Sequence, residues 1–83
     1  MKTHELKTWP EYFKAVKEGV KKFEVRKNDR DFKVGDLVRL NEYDPETEEL
    51  SGDWEVFEIS YILKGPEFGI KNGYCVISLG SVF

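Results

Sequence analysis

The sequence predicts an α+β domain: a small antiparallel β-barrel of about five strands, with one N-terminal helix closing an opening of the barrel. Three observations predict it. One early segment has helical periodicity with both ends marked. Everything after it reads as strands punctuated by Gly, Pro and Asn turns. No further helix remains to supply the crossovers of a parallel α/β sheet. The 83 residues are expected to form a single domain over 1–83, since chains divide into several cores only at much greater length. Six Phe, four Tyr and two Trp supply the apolar bulk for its core.

Residues 3–7 form a short strand anchored by Leu6. Thr8 opens a T-W-P-E capping box, in which the Thr8 hydroxyl accepts from the N–H of Glu11 and the Glu11 side chain reaches back to the N–H of Thr8. Pro10 falls in the first turn, where a missing N–H loses no helical bond. Trp9, Tyr12, Phe13, Val16 and Val20 recur on one helical face, with Glu11, Lys14, Lys17 and Glu18 on the others. Gly19 ends the helix because it tolerates left-handed geometry, and Lys17 in the last turn suits the negative end of the dipole.

Lys22–Arg26 alternates, with Phe23 and Val25 on one face and Lys22, Glu24 and Arg26 on the other. Residues 28–33 are a polar loop, V-G-D at 34–36 turns the chain, and Leu37–Tyr43 is the next strand. Residues 44–53, holding Pro45, Ser51 and Gly52, read as a turn-rich excursion. Trp54–Leu63 is a long strand with Phe57, Ile59, Tyr61 and Leu63 on one face. Gly65–Pro66 breaks it, Asn72–Gly73 makes a hairpin turn, and Tyr74–Leu79 is the last strand. Closing these strands into a barrel removes exposed edges.

Composition excludes several chemistries. The one cysteine, Cys75, permits neither an intrachain disulfide nor a C-x-x-C clamp. With one histidine, His4, and one cysteine the three or four ligands of a zinc site are not assembled, and the place of His4 in an N-terminal segment that reads as flexible argues against a Ser–His–acid triad. No metal and no cofactor are implied. No run approaches the roughly 18 apolar residues of a membrane span, and no apolar stretch follows the charged N-terminus as a signal peptide requires. A cytoplasmic protein with no membrane partner is expected. The net charge of −3 divides unevenly, +4 over residues 1–40 and −7 over 41–83. A basic half can therefore present a positive face to an anionic ligand despite the acidic total.

Within that half the candidate functional surface centres on the charged run from Gly19 to Arg30, the first part of residues 19–36, G-V-K-K-F-E-V-R-K-N-D-R-D-F-K-V-G-D. Lys21 lies at the helix–strand junction, and Glu24 and Arg26 project from one face of the following strand. The planar fork of Arg26 suits phosphate or carboxylate, and Lys21 supplies a point charge. Glu24 can orient either cation or accept from a base amino group. The competing reading is an exposed Glu24–Arg26 pair worth about 0–1 kcal/mol. Lys27 and Arg30 extend Arg26 into a basic rim suited to a phosphate backbone, and Lys7 and Lys14 can lengthen it. Asn28 and Asp29 within the rim are also ordinary turn residues. Trp9 can stack on a base, or belong to the core as the first residue of the apolar stripe.

The run resembles the signature of the ASCH domain family, a branch of the PUA-like β-barrels. Gly19, Lys21, Glu24 and Arg26 match its G-x-K-x-x-E-x-R strand, and Phe32, Gly35 and Asp36 match its F-x-x-G-D turn. Upstream L-K-x-W-P-E-Y-F and downstream E-Y-D-P, Y-I-L and F-G-I are similar to a small ASCH-like subfamily of bacteria and their phages, so the resemblance covers nearly the whole chain. It implies an RNA- or nucleotide-binding module whose ligand sits in a cleft between helix and barrel. The implied ligand residues are Lys21, Glu24, Arg26, Lys27, Asn28 and Arg30, with Lys7 and Trp9 secondary.

Some ASCH-like proteins are amidohydrolases of acylated cytidine nucleosides, using a Lys, a Thr nucleophile and a Glu. Lys21 matches that Lys, but Glu24 stands at the Thr position, and residues 20–34 contain no Ser or Thr. The later Glu would be Glu42, Glu55 or Glu58. Binding is thus the first implication. Hydrolysis of modified nucleosides through Lys21 and Glu24 is an alternative, and a protein-interaction module using the acidic 42–58 face is another. Tyr43 and Tyr61 can hydrogen-bond a ligand at the barrel mouth or simply pack.

Overall fold

The computed structural model describes residues 1–82. Its elements in chain order are β1 (Thr3–Thr8), α1 (Pro10–Lys17), β2 (Phe23–Lys27), β3 (Leu37–Asp44), β4 (Glu49–Lys64), a 3₁₀ turn at Glu67–Gly69, and β5 (Tyr74–Gly80). The strands form one sheet in the order β1-β3-β4-β5-β2, curled into a half-barrel with β1 and β2 at its edges. Three neighbouring pairs are antiparallel. The fourth corrects the all-antiparallel expectation: β1 runs parallel to β3, from Thr3 opposite Leu37 to Thr8 opposite Glu42. A parallel pair needs a long connection, and α1 together with β2 provides it.

The helix ends as its sequence predicts. Gly19, at φ +78, donates to Val16 O at 3.0 Å, and Val20 N donates to Ala15 O at 3.0 Å. These two bonds satisfy orphan carbonyls of the last turn in a Schellman motif. Its start differs. Trp9 is the N-cap, with no side-chain cap bond, so the Thr8 capping box is absent. Thr8 is still the last residue of β1, and its hydroxyl is engaged by Arg26 across the sheet seam.

Phe13 and Val16 of α1 join Leu6, Phe32, Val38, Leu40, Ile59, Cys75 and Ile77 in the core. Full burial of side chains of this size contributes about 1.5–3 kcal/mol each. Trp9 and Val20, expected on the same stripe, are exposed because each lies just beyond the helix ends. In β4 a register shift between Ile59 and Tyr61 inserts one residue. Alternation therefore reverses: Phe57 and Ile59 face inward, then Ile62, while Tyr61 turns outward instead of continuing their row. The expected excursion over 44–53 is instead a hairpin, with Asp44 paired to Glu49. Asp44 Oδ1 accepts from Glu46 N at 2.9 Å and shapes the turn.

His4 is not in a flexible segment. It alternates inward with Leu6 and Thr8 on β1, and its Nε2 lies 2.8 Å from Asp36 Oδ2. Its ring meets the Phe32 ring edge-on at 4.7 Å. Asp36 also accepts from Lys2 N at 3.1 Å and Lys33 N at 3.2 Å. The His4 hydrogen bond, followed by that of Lys2 N, holds the Asp36 carboxyl down to about 2. No helix among the described residues is long and apolar enough to cross a membrane.

Candidate functional site

The Schellman end of α1 delivers Lys21 directly beside the first residues of β2, where Lys21 N donates to Ala15 O at 3.1 Å. The alternation of β2 then points Glu24 and Arg26 to the inner side. Glu24 is buried at 4% exposure, and Phe23 and Val25 are turned outward at 46% and 55%. This is the reverse of the usual polarity of a half-buried strand.

Two cations compensate the buried carboxylate. Lys21 Nζ bonds Glu24 Oε1 and donates to Phe23 O at 2.7 Å. Arg26 donates to Glu24 Oε2 through Nε at 3.1 Å and Nη2 at 2.8 Å. A carboxylate offers about four acceptor positions, so these three bonds leave little for a ligand. One Lys21 proton and the Arg26 Nη1 group have no hydrogen-bond partner among the described residues. The arrangement presents donors and a positive balance, with its one acid already satisfied.

Above this floor opens a groove of about 430 Å³. Lys7 and Thr8 come from β1, Trp9 and Tyr12 from the helix start, and Phe23 and Val25 from β2. Trp9 and Tyr12 stack with centroids 6.1 Å apart and planes 27° from parallel, and Trp9 is 51% exposed. Lys21 Nζ lies 4.9 Å from the Phe23 ring centroid and 5.8 Å from that of Tyr12. The groove is thus an aromatic and aliphatic wall around a charged floor, the usual make-up of a small-molecule site.

The structure brings Lys21, Glu24 and Arg26 together, and sets Lys7 and Trp9 on the rim of the same groove. Lys27 and Arg30 fall in an adjoining depression of about 130 Å³, which Arg26 also lines. Arg26 Nη2 donates to Lys7 O at 2.8 Å and Thr8 Oγ1 at 3.2 Å, and Arg30 Nη1 to Glu5 O at 2.6 Å. These arginines bridge the seam between the edge strands β2 and β1. Asn28 lines neither cavity; its N–H donates to Gly73 O at 2.8 Å and holds the loop. Glu42 borders separate depressions on the other side of Pro10, and neither Glu55 nor Glu58 lines the groove. Tyr43 lies under Lys7, 4.6 Å from its Nζ, while Tyr61 lines none of this site.

Thr8, Tyr12, Phe23 and Val25 are groove residues that sequence reasoning did not select. A signal for Thr8 existed, because the inward alternation of His4 and Leu6 extends to it. For Phe23 and Val25 none did, since apolar residues in a strand are expected to face the core.

The chain belongs to the family described as a domain of unknown function, DUF3850, whose model matches residues 3–79. No curated protein matches it.

Proposed function

We propose that this protein is an RNA- or nucleotide-binding module of the ASCH, PUA-like kind, acting in the cytoplasm and holding its ligand in the groove over Glu24. In this reading the half-barrel is a PUA-like barrel and α1 closes its opening. The observation that carries it is an exposed Trp9–Tyr12 wall beside a floor of donors whose only carboxylate is already bonded by Lys21 and Arg26. A flat ring stacks on such a wall for about 1–3 kcal/mol per base. A carbonyl or phosphate oxygen on the ligand accepts from Arg26 Nη1 and Lys21.

Arg26→Ala is expected to weaken retention of RNA and lower the slope of log affinity against log salt by about 1. A thermal melt run in parallel separates lost binding from lost fold. Wild-type protein that retains neither RNA nor mononucleotides at low salt overturns the reading.

One observation favours hydrolysis of modified nucleosides as a second reading: Thr8 brings into the groove a hydroxyl that the 20–34 run lacks. Its hydrogen-bond partner is Arg26, a donor rather than a base, so the site as built supports binding better. Turnover of an acylated nucleoside by wild type and its loss in Thr8→Val would reverse that order.

A further inference from the structure

We infer that the site takes a single strand of at least two nucleotides, with one nucleotide and its own phosphate in the aromatic groove and the phosphate of the next nucleotide in the depression beyond Arg26. This rests on the binding reading above. Its basis is that two cavities of opposite character share one wall. Trp9, Tyr12, Phe23 and Val25 are four of the nine described residues that line the groove of about 430 Å³, and the surface it exposes is mostly apolar. The neighbour of about 130 Å³ is too small for a base with its sugar, and Arg26, Lys27, Asp29 and Arg30 contribute most of its lining.

Arg26 belongs to both cavities, so a ligand leaving the groove passes directly onto the basic patch. Across the two cavities five cations face two carboxylates. Glu24 is bonded by Lys21 and Arg26, and Asp29 lies 3.8 Å from Arg30 Nε. The Lys27 side chain makes no hydrogen bond or ion pair with any described residue. Its charge remains for a phosphate, which recognises cations without regard to sequence. A stacking wall continuous with a backbone-tracking basic patch is the chemistry of single-strand recognition. A duplex keeps its bases stacked on one another and cannot fill the groove.

The test compares two probes by titration at low salt: a mixed-sequence RNA tetranucleotide and the four nucleoside 5′-monophosphates. The tetranucleotide is expected to bind at least about tenfold tighter, through the added phosphate contact and its salt dependence. Lys27→Ala should weaken the tetranucleotide roughly threefold or more, lower its salt slope by about 1, and leave the monophosphates unchanged. Arg30→Ala should act in the same direction, but it also frees Glu5 O, so Lys27→Ala is the cleaner variant. Monophosphates binding as tightly as the tetranucleotide, or Lys27→Ala weakening both alike, overturns the two-cavity inference while the groove reading stands. Failure of both probes to bind wild type removes the groove reading and this inference with it.

Discussion

Glu24 and Asp36 are both carboxylates at the inner side of the sheet, 4% and 6% exposed. Asp36 takes a histidine and two backbone N–H groups as partners, and aromatic packing by Phe32 covers the histidine. Glu24 takes two long cationic side chains, and they border an open groove. The backbone donors, Lys2 N and Lys33 N, move only if the main chain itself moves. Lysine and arginine side chains can shift toward a ligand while the strands stay in place. One acid therefore fastens β1 to the start of β3, and the other arms a surface. Depth alone does not separate a structural carboxylate from one in a binding site; the nature of its partners does.

The comparison can be broken most directly at Glu24. Glu24→Ala leaves Lys21 and Arg26 facing each other with no carboxylate between them. Removing one member of a fully buried pair costs about 3–5 kcal/mol. Lys21 and Arg26 keep 18% and 23% of their side-chain exposure, so water recovers part of that. A loss of about 2–4 kcal/mol in urea unfolding is expected, with a smaller loss for Glu24→Gln. A Glu24→Ala protein as stable as wild type would mean that solvent alone screens the two cations, and that Glu24 serves the ligand rather than the fold.

Asp36 gives the next largest effect, visible in acid. Its folded-state value of about 2 lies below the ordinary 3.8, so its ionised form binds more favourably in the folded state. That stability is fully present above pH 3.8 and is lost as pH falls through about 2. Asp36→Asn should lower the melting temperature at neutral pH and remove this portion of the acid transition. If the variant and wild type lose stability in parallel below pH 4, the clasp is not what Asp36 provides.

Sequence reasoning reached what is local. The Gly19 helix end, the start of β5 at Tyr74, and the shared face of Glu24 and Arg26 all depend on neighbours within a few residues, and all are present in the structure. What it missed depends on contacts between distant segments. Period-two alternation states that Glu24 and Phe23 face opposite ways, but not which of them faces inward. Apolar burial argues for Phe23, and the Lys21–Glu24–Arg26 cluster with its seam bonds to Lys7 and Thr8 outweighs it. The parallel β1–β3 pair joins residues 3–8 to 37–42, and no turn signal announces so long a return. His4 was unreadable for the same reason, because its partner Asp36 lies 32 residues away.

The smallest effect on stability is expected where the effect on function is large. Trp9 occupies the N-cap of α1 with extended backbone, φ −62 and ψ 149, yet has no oxygen with which to accept from the first-turn N–H groups. Serine is among the preferred residues there, and a good N-cap contributes about 0.5–2 kcal/mol over residues that cannot cap. Trp9→Ser gives up a half-exposed ring stacked on Tyr12 and gains that cap, so net stability should change by no more than about 1 kcal/mol. A tryptophan at this position is therefore the poorer choice for the helix and the better one for a ring lying in the groove. Binding of the RNA tetranucleotide should fall roughly tenfold or more in Trp9→Ser, the loss of one stacking platform. A variant that binds undiminished would assign the exposed indole to neither the core nor the ligand, and would shift the base-stacking role to Phe23.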